Sequence, residues 1–214
     1  MKFAYFNPTV MAIADVPTDT FLAIRNMVDQ AHFRQELNDE GNPKISIRGG
    51  QQIQLLPNEF ELDTSVLVSY LESACKEYIS NIIKQNGRND LDPYDAVITS
   101  AWTIKQKDGD YQALHTHEAH ISGNIYIDVP ELDLESNPSD ASVEFRLPVI
   151  RNLATFTFID QWRYKPQPMK MVIFPSYIPH TVYPWKGKGE RTVLAWDARL
   201  VNKELIKGES NVGI

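Results

Sequence analysis

After Pro93 the sequence breaks into short runs rich in Val, Ile, Thr, Phe and Tyr, each closed by a turn cluster, and this texture restricts the fold more than any other feature. β-branched and aromatic side chains suit a pleated, buried surface, so the runs predict an antiparallel all-β unit. The predicted strands are Ala96 to Lys105, Leu114 to His117, Ile121 to Val129, Ser142 to Leu147, Ala154 to Ile159, Met169 to Phe174, His180 to Tyr183 and Thr192 to Asp197. Turn residues separate them at Lys107-Asp-Gly-Asp110, Ser136-Asn-Pro-Ser-Asp140, Pro166-Gln-Pro168 and Lys186-Gly-Lys-Gly189. Such a strand count suits a jelly-roll.

Before Pro93 the apolar spacing is helical. Phe21, Ile24, Met27, Val28 and Ala31 fall on one side of a helix from Thr18 to Ala31. A second helix starts at Asp63 as N-cap, carries Val66, Leu67, Tyr70, Leu71, Ala74, Tyr78 and Ile82, and ends at Gly87 in the left-handed region. The expected fold is mainly β (α+β), a double-stranded β-helix with N-terminal helices packed outside. We expect one domain over 1–214, with a helical or mixed part at 1–93, a jelly-roll core at 94–200 and a tail at 201–214, because about 200 residues suit a single such unit.

With 43% hydrophobic and 23% charged residues the chain has material for a sizeable core. A formal charge of −7 without a basic run disfavours nucleic-acid binding through phosphates. No run approaches the roughly 18 apolar residues of a membrane span, and the first residues show neither a basic leader nor a hydrophobic stretch, so a cytoplasmic location is expected. The single cysteine, Cys75, lies in the second helical pattern and reads as a buried structural thiol. His32 is expected at the surface near the end of the first helix.

Three of five histidines crowd into His115-Thr-His-Glu-Ala-His120. On an extended strand His115 and His117 share a face, roughly 6 to 7 Å apart at Cα, so both imidazoles can reach one metal ion. His180, closing Phe174-Pro-Ser-Tyr-Ile-Pro-His180, is the candidate third ligand, while His120 alternates away toward a supporting or substrate-side place. Imidazole suits Zn, Cu, Fe and Ni, and three ligands on one face leave positions open for a chelating acid and dioxygen. Arg191 follows His180 by eleven residues across the turn Pro184-Trp-Lys-Gly-Lys-Gly189, where a hairpin return would bring its guanidinium toward the metal. A planar permanent cation is the natural partner of a distal carboxylate. Trp102 and Tyr111 are expected at the rim of a substrate cleft.

The run His115-x-His117, Ser122-Gly-Asn-Ile-Tyr126, Phe174-Pro-Ser-x-x-x-His180 and Arg191-Thr-Val-Leu-Ala resembles the 2-oxoglutarate- and Fe(II)-dependent oxygenase superfamily, within it a poorly characterised branch with an HxH pattern. The resemblance spans roughly Trp102 to Trp196. It implies an enzyme, a dioxygenase or hydroxylase of unknown prime substrate, with Fe(II) on His115, His117 and His180 and 2-oxoglutarate and dioxygen as cosubstrates. It further implies that Arg191 grips the far carboxylate, with Tyr126 adding a hydroxyl donor. Most of the superfamily has Asp or Glu where this chain has His117, so Glu118 or Asp110 stays open as an alternative ligand. Two other readings are a cupin-like metal protein and a non-catalytic β-sandwich module.

Overall fold

The computed structural model describes residues 9–38, 45–46, 50–57, 61–87, 89–132, 135, 137–147 and 160–203. The predicted strand from Ala154 to Ile159 and the tail beyond residue 203 lie outside the described residues.

Two antiparallel sheets face each other. The larger has seven strands in the order β1-β9-β6-β11-β4-β3-β2: β1 Ala12–Asp15, β9 Lys170–Pro175, β6 Ile121–Asp128, β11 Arg191–Asn202, β4 Tyr94–Gln106, β3 Gly50–Leu56 and β2 Ile45–Ser46. The smaller has four in the order β5-β10-β7-β8: β5 Gln112–His115, β10 His180–Val182, β7 Val143–Arg146 and β8 Gln161–Tyr164. This is the two-sheet architecture of a double-stranded β-helix.

Helices α1 (Thr18–Asn38) and α2 (Ser65–Asn86) cover the outer face of the larger sheet. Helix α2 starts beside Asp63, whose Oδ1 accepts from the backbone N–H of Ser65 at 3.0 Å. It stops at Gly87, whose φ of 64° puts it in the left-handed region while its N–H returns to Ile83 O at 2.9 Å. Cys75 is fully buried on α2, and burial pushes its thiol up to about 12, which leaves an inert, protonated packing group.

Period-two alternation sends the side chains of the larger sheet into two cores. Ile125, Ile127, Met171, Ile173, Leu194, Trp196 and Ala198 face the helices. Tyr126, Val172, Phe174 and Val193 face the smaller sheet, where they meet Val143, Phe145, Ile178 and Val182. Because both faces of the larger sheet are covered there, β9 carries the continuous apolar run Met171-Val-Ile-Phe174 and β11 the run Val193-Leu-Ala-Trp196. Gly123 on β6 lies opposite Trp196 on β11, and a Cβ there would fall 2.4 Å from the indole ring and 2.7 Å from Val172 O. Only glycine lets the tryptophan lie against the strand.

The N-terminal part adds strands to the larger sheet: β1 pairs with β9, and β3 pairs with β4 and carries β2 at the sheet edge. Two expectations need correction. His32 is 3% exposed, with Nε2 at 3.2 Å from Thr103 Oγ1 of β4. It stands one helical turn beyond Val28, so the apolar face of α1 carries it inward. The segment between His180 and Arg191 is a crossover and not a hairpin: β10 pairs with β5 and β7 in one sheet, whereas β11 pairs with β4 and β6 in the other.

Candidate metal centre

The open end between the sheets holds a cavity of about 540 Å³. Residues Arg191, Val193, Ala195 and Asp197, every second position of β11, line it, as do Asn124 and Tyr126 of β6. The smaller sheet contributes His115, Val143, His180 and Val182 from the opposite side.

His115 and His180 are direct cross-strand partners on β5 and β10, with ring centroids 4.3 Å apart. His117 joins them in a different way from the regular strand expected, because β5 ends at His115. Its backbone N–H donates to Ser176 O at 3.0 Å, which folds the chain back so that its ring stands 5.3 Å from that of His115 and 5.2 Å from that of His180. One ligand nitrogen from each of the three residues lies within 4.8 Å of the others. Among the described residues, this is the group of side chains spaced to hold a metal ion, and neither Glu118 nor Asp110 is part of it. Asp110 instead accepts from Lys107 N at 2.8 Å within its turn. His120 stands apart, accepting the backbone N–H of Leu200 on Nδ1 at 2.8 Å.

The hydrogen bonds set the tautomers. Nδ1 of His115 faces Ala113 O at 2.7 Å and Nδ1 of His180 faces Ile178 O at 3.1 Å. Since a carbonyl only accepts, both Nδ1 atoms carry the proton and both Nε2 atoms offer a lone pair. Nδ1 of His117 lies 2.9 and 3.2 Å from the two carboxylate oxygens of Asp197, while its Nε2 is buried without a partner. Burial, reinforced by the neighbouring imidazoles, pushes His180 down to about 3 and also lowers His115. Neutral imidazole is the metal-binding form, so burial favours the ligand state of His115 and His180.

Arg191 enters the cavity from the start of β11. It is 3% exposed, and its Nη1 donates to Ala141 O at 2.9 Å while Nη2 donates to Gln106 Oε1. Its ring neighbour is Trp185, 6.0 Å from the guanidinium carbon. Both acceptors are neutral, and among the described residues no carboxylate pairs with it. Burial accordingly lowers Arg191 to about 10. Arg191 Nε, Tyr126 Oη and Gln106 Nε2 are all buried without a hydrogen-bond partner. Burial also raises the Tyr126 hydroxyl well above its usual value, so it remains a neutral donor. Arg191 and Tyr126 both line the cavity, and a cation beside an idle hydroxyl donor fits a carboxylate, which accepts several hydrogen bonds at once.

Trp102 stacks on His117 at 5.6 Å between ring centroids and also lines the cavity, as do the exposed Tyr111 and Glu118. Asp197, Ser122, Ser176 and Gln106 were not singled out from the sequence as members of the site. Asp197 carried a usable signal, because it stands three alternations beyond Arg191 on one strand.

Residues 100–197, a little under half of the chain and including every histidine of the triad and Arg191, match a family model described as "Putative 2OG-Fe(II) oxygenase". No curated protein matches the sequence. Among solved structures, AviO1 from Streptomyces viridochromogenes Tue57 superposes with a TM-score of 0.59 at 11% identity, covering 89% of this chain and 90% of that one. A Pseudomonas putida prolyl-4-hydroxylase gives 0.52 at 17% identity over 89% and 94% of the two chains. A Trichoplax adhaerens prolyl hydroxylase, in complex with a hypoxia inducible factor oxygen degradation domain peptide fragment, gives 0.53 at 14% identity over 91% and 84%. At such identities the likeness is one of fold. The matched segment and the two-sheet fold make this chain similar to the 2OG-Fe(II) oxygenases, whose Fe(II) and 2-oxoglutarate suit the three imidazoles and the idle donors of the cavity.

Proposed function

We propose that this chain is an Fe(II)- and 2-oxoglutarate-dependent dioxygenase in which His115, His117 and His180 hold iron through Nε2 and Arg191 holds the far carboxylate of the cosubstrate. The observation that carries the proposal is the Arg191 guanidinium, buried in the cavity beside the histidine cluster without an anionic partner. A buried charge left unpaired costs several kcal/mol in general, and an anionic ligand removes that cost.

When bound, Fe(II) with 2-oxoglutarate supplies the oxidative decarboxylation of the 2-oxo acid to succinate, coupled to oxidation of a C–H bond by dioxygen. The protein's part is placement and exclusion of water. Arg191 would offer the diacid its Nε–H, which has no partner in the protein, while Ala141 O and Gln106 fix the rest of the fork. Tyr126 adds a hydroxyl donor held neutral by burial. Val143, Val182 and Val193 wall the cavity with apolar surface, which strengthens the electrostatic contacts inside. At the rim, Trp102 and Tyr111 offer flat surfaces to the prime substrate, and the acidic chain favours a neutral or basic substrate over nucleic acid, with dioxygen as the second cosubstrate. Among the described residues no helix is long and apolar enough to cross a membrane, and a cytoplasmic location agrees with that.

The test is an anaerobic titration of the apoprotein with Fe(II) and 2-oxoglutarate. We expect a visible charge-transfer band saturating at one iron per chain, lost in His115→Ala and His180→Ala, and succinate formation on admitting oxygen. Absence of both the band and 2-oxoglutarate binding in the wild type rules the proposal out.

A further inference from the structure

Asp197 stands in direct contact with the cluster and has no counterpart in the HxH, His and Arg pattern. It lies opposite Ser122 in the β6–β11 pairing, next to a register break between Asp197 and Ala198 that re-aims the strand locally. Ser122 Oγ donates to Asp197 Oδ1 at 2.5 Å, and Ser176 Oγ lies 2.7 Å from Ser122 Oγ. With the Ser122 proton given to Asp197, the Ser176 hydroxyl is the donor in that second bond. Ser176 in turn accepts the backbone N–H of His117. The contacts close a ring: His117 ring, Asp197, Ser122, Ser176 and His117 backbone. Both ends of His117 are therefore fixed by one polar circuit, although the residue lies beyond the end of its strand.

We infer that Asp197 is a positioning residue which orients His117 and supplies, one imidazole away from the metal, the negative charge that a carboxylate ligand would otherwise bring. The inference rests on the metal reading above. Three neutral imidazoles leave a dipositive ion uncompensated, whereas a carboxylate hydrogen-bonded to one of them raises that ligand's basicity and lowers the net charge of the centre by one. The geometry serves both purposes. Nδ1–H of His117 faces both oxygens of Asp197, which fixes the ring and turns Nε2 toward His115 and His180. Orientation alone needs only an acceptor; supplying charge needs a carboxylate, so two substitutions separate the effects.

The probe is Co(II) alone, titrated into apoprotein without cosubstrate. Asp197→Asn keeps the shape and one acceptor oxygen but drops the charge, and is expected to bind about ten-fold more weakly. Asp197→Ala drops both and is expected near a hundred-fold. Independently of any variant, long-range proton–nitrogen NMR of the wild-type apoprotein should show His117 as the Nδ1–H tautomer, so a poorly folding Ala variant leaves the question decidable. An Asp197→Asn protein binding Co(II) within two-fold of wild type, or a His117 proton found on Nε2, overturns the inference while leaving the metal centre intact. A wild type that takes up no Co(II) overturns the metal centre itself.

Discussion

Replacing Arg191 with methionine separates the cost of a buried cation from its use. In the free protein the guanidinium is 3% exposed among neutral partners, and burial pulls it from 12.5 to about 10. At about 1.4 kcal/mol per pH unit, that shift corresponds to roughly 3 kcal/mol of native-state destabilisation. Methionine removes that cost but strands Ala141 O and Gln106 Oε1, at about 1 to 3 kcal/mol for each buried acceptor left unmet. The two effects oppose each other and leave a net change between about 1 kcal/mol of gain and about 3 kcal/mol of loss, so the free variant should melt within about 12 °C of wild type.

Ligand binding involves no such opposition. With Mn(II) in place of iron to prevent turnover, 2-oxoglutarate at a hundred times its Kd stabilises the wild type by about 2.7 kcal/mol. For a chain of this size that is a rise in Tm of about 5 to 11 °C. Losing one partner of a buried charge pair costs at least about 2 kcal/mol, or roughly thirty-fold in Kd. At the same ligand concentration the stabilisation of Arg191→Met then falls below about 1 kcal/mol. Differential scanning fluorimetry with and without 2-oxoglutarate measures both quantities. A full ligand-induced shift in Arg191→Met refutes the assignment of this residue to the cosubstrate.

His32 should make the fold acid-sensitive. Its folded value of about 4 lies below the ordinary 6.5, chiefly through burial, so between these pH values the unfolded chain binds a proton that the folded one refuses. Its contribution is complete above pH 6.5 and declines by up to about 3 kcal/mol as pH falls to 4; urea titrations of His32→Gln at pH 7.5 and 4.5 should show a shallower loss than wild type, and an equal loss counts against the argument. Gly123→Ala should lower stability by about 1 to 3 kcal/mol, because the new methyl meets the Trp196 ring and the Val172 carbonyl, and an unchanged urea midpoint contradicts the packing described. His120→Ala should keep metal affinity within two-fold while weakening the end of β11, since its ring bonds a backbone amide; a ten-fold loss of metal would make it a ligand.

What the sequence made legible divides along the range of the interactions. Alternation and turn residues located most of the jelly-roll strands, and Gly87 marked the end of α2, because those signals are local. Strands β1 and β3 went unseen because their stability comes from pairing with β9 and β4, more than forty residues away in each case, and not from their own composition. The histidine pair shows the same division more sharply. Two imidazoles two positions apart were expected to share a face because strands alternate, yet the strand stops at His115 and a long-range contact to Ser176 brings His117 into place. Convergence of the rings thus depends on β9 and its following turn as much as on the HxH run. A spacing argument could find the ligands but not the circuit through Ser122, Ser176 and Asp197 that aims one of them. That circuit joins β6, β11 and the turn after β9, so its members become neighbours only when the larger sheet has formed. The metal centre and the sheet are for that reason one cooperative unit: a substitution that loosens the β6–β11 pairing, such as one at Gly123, should weaken metal binding without touching a ligand.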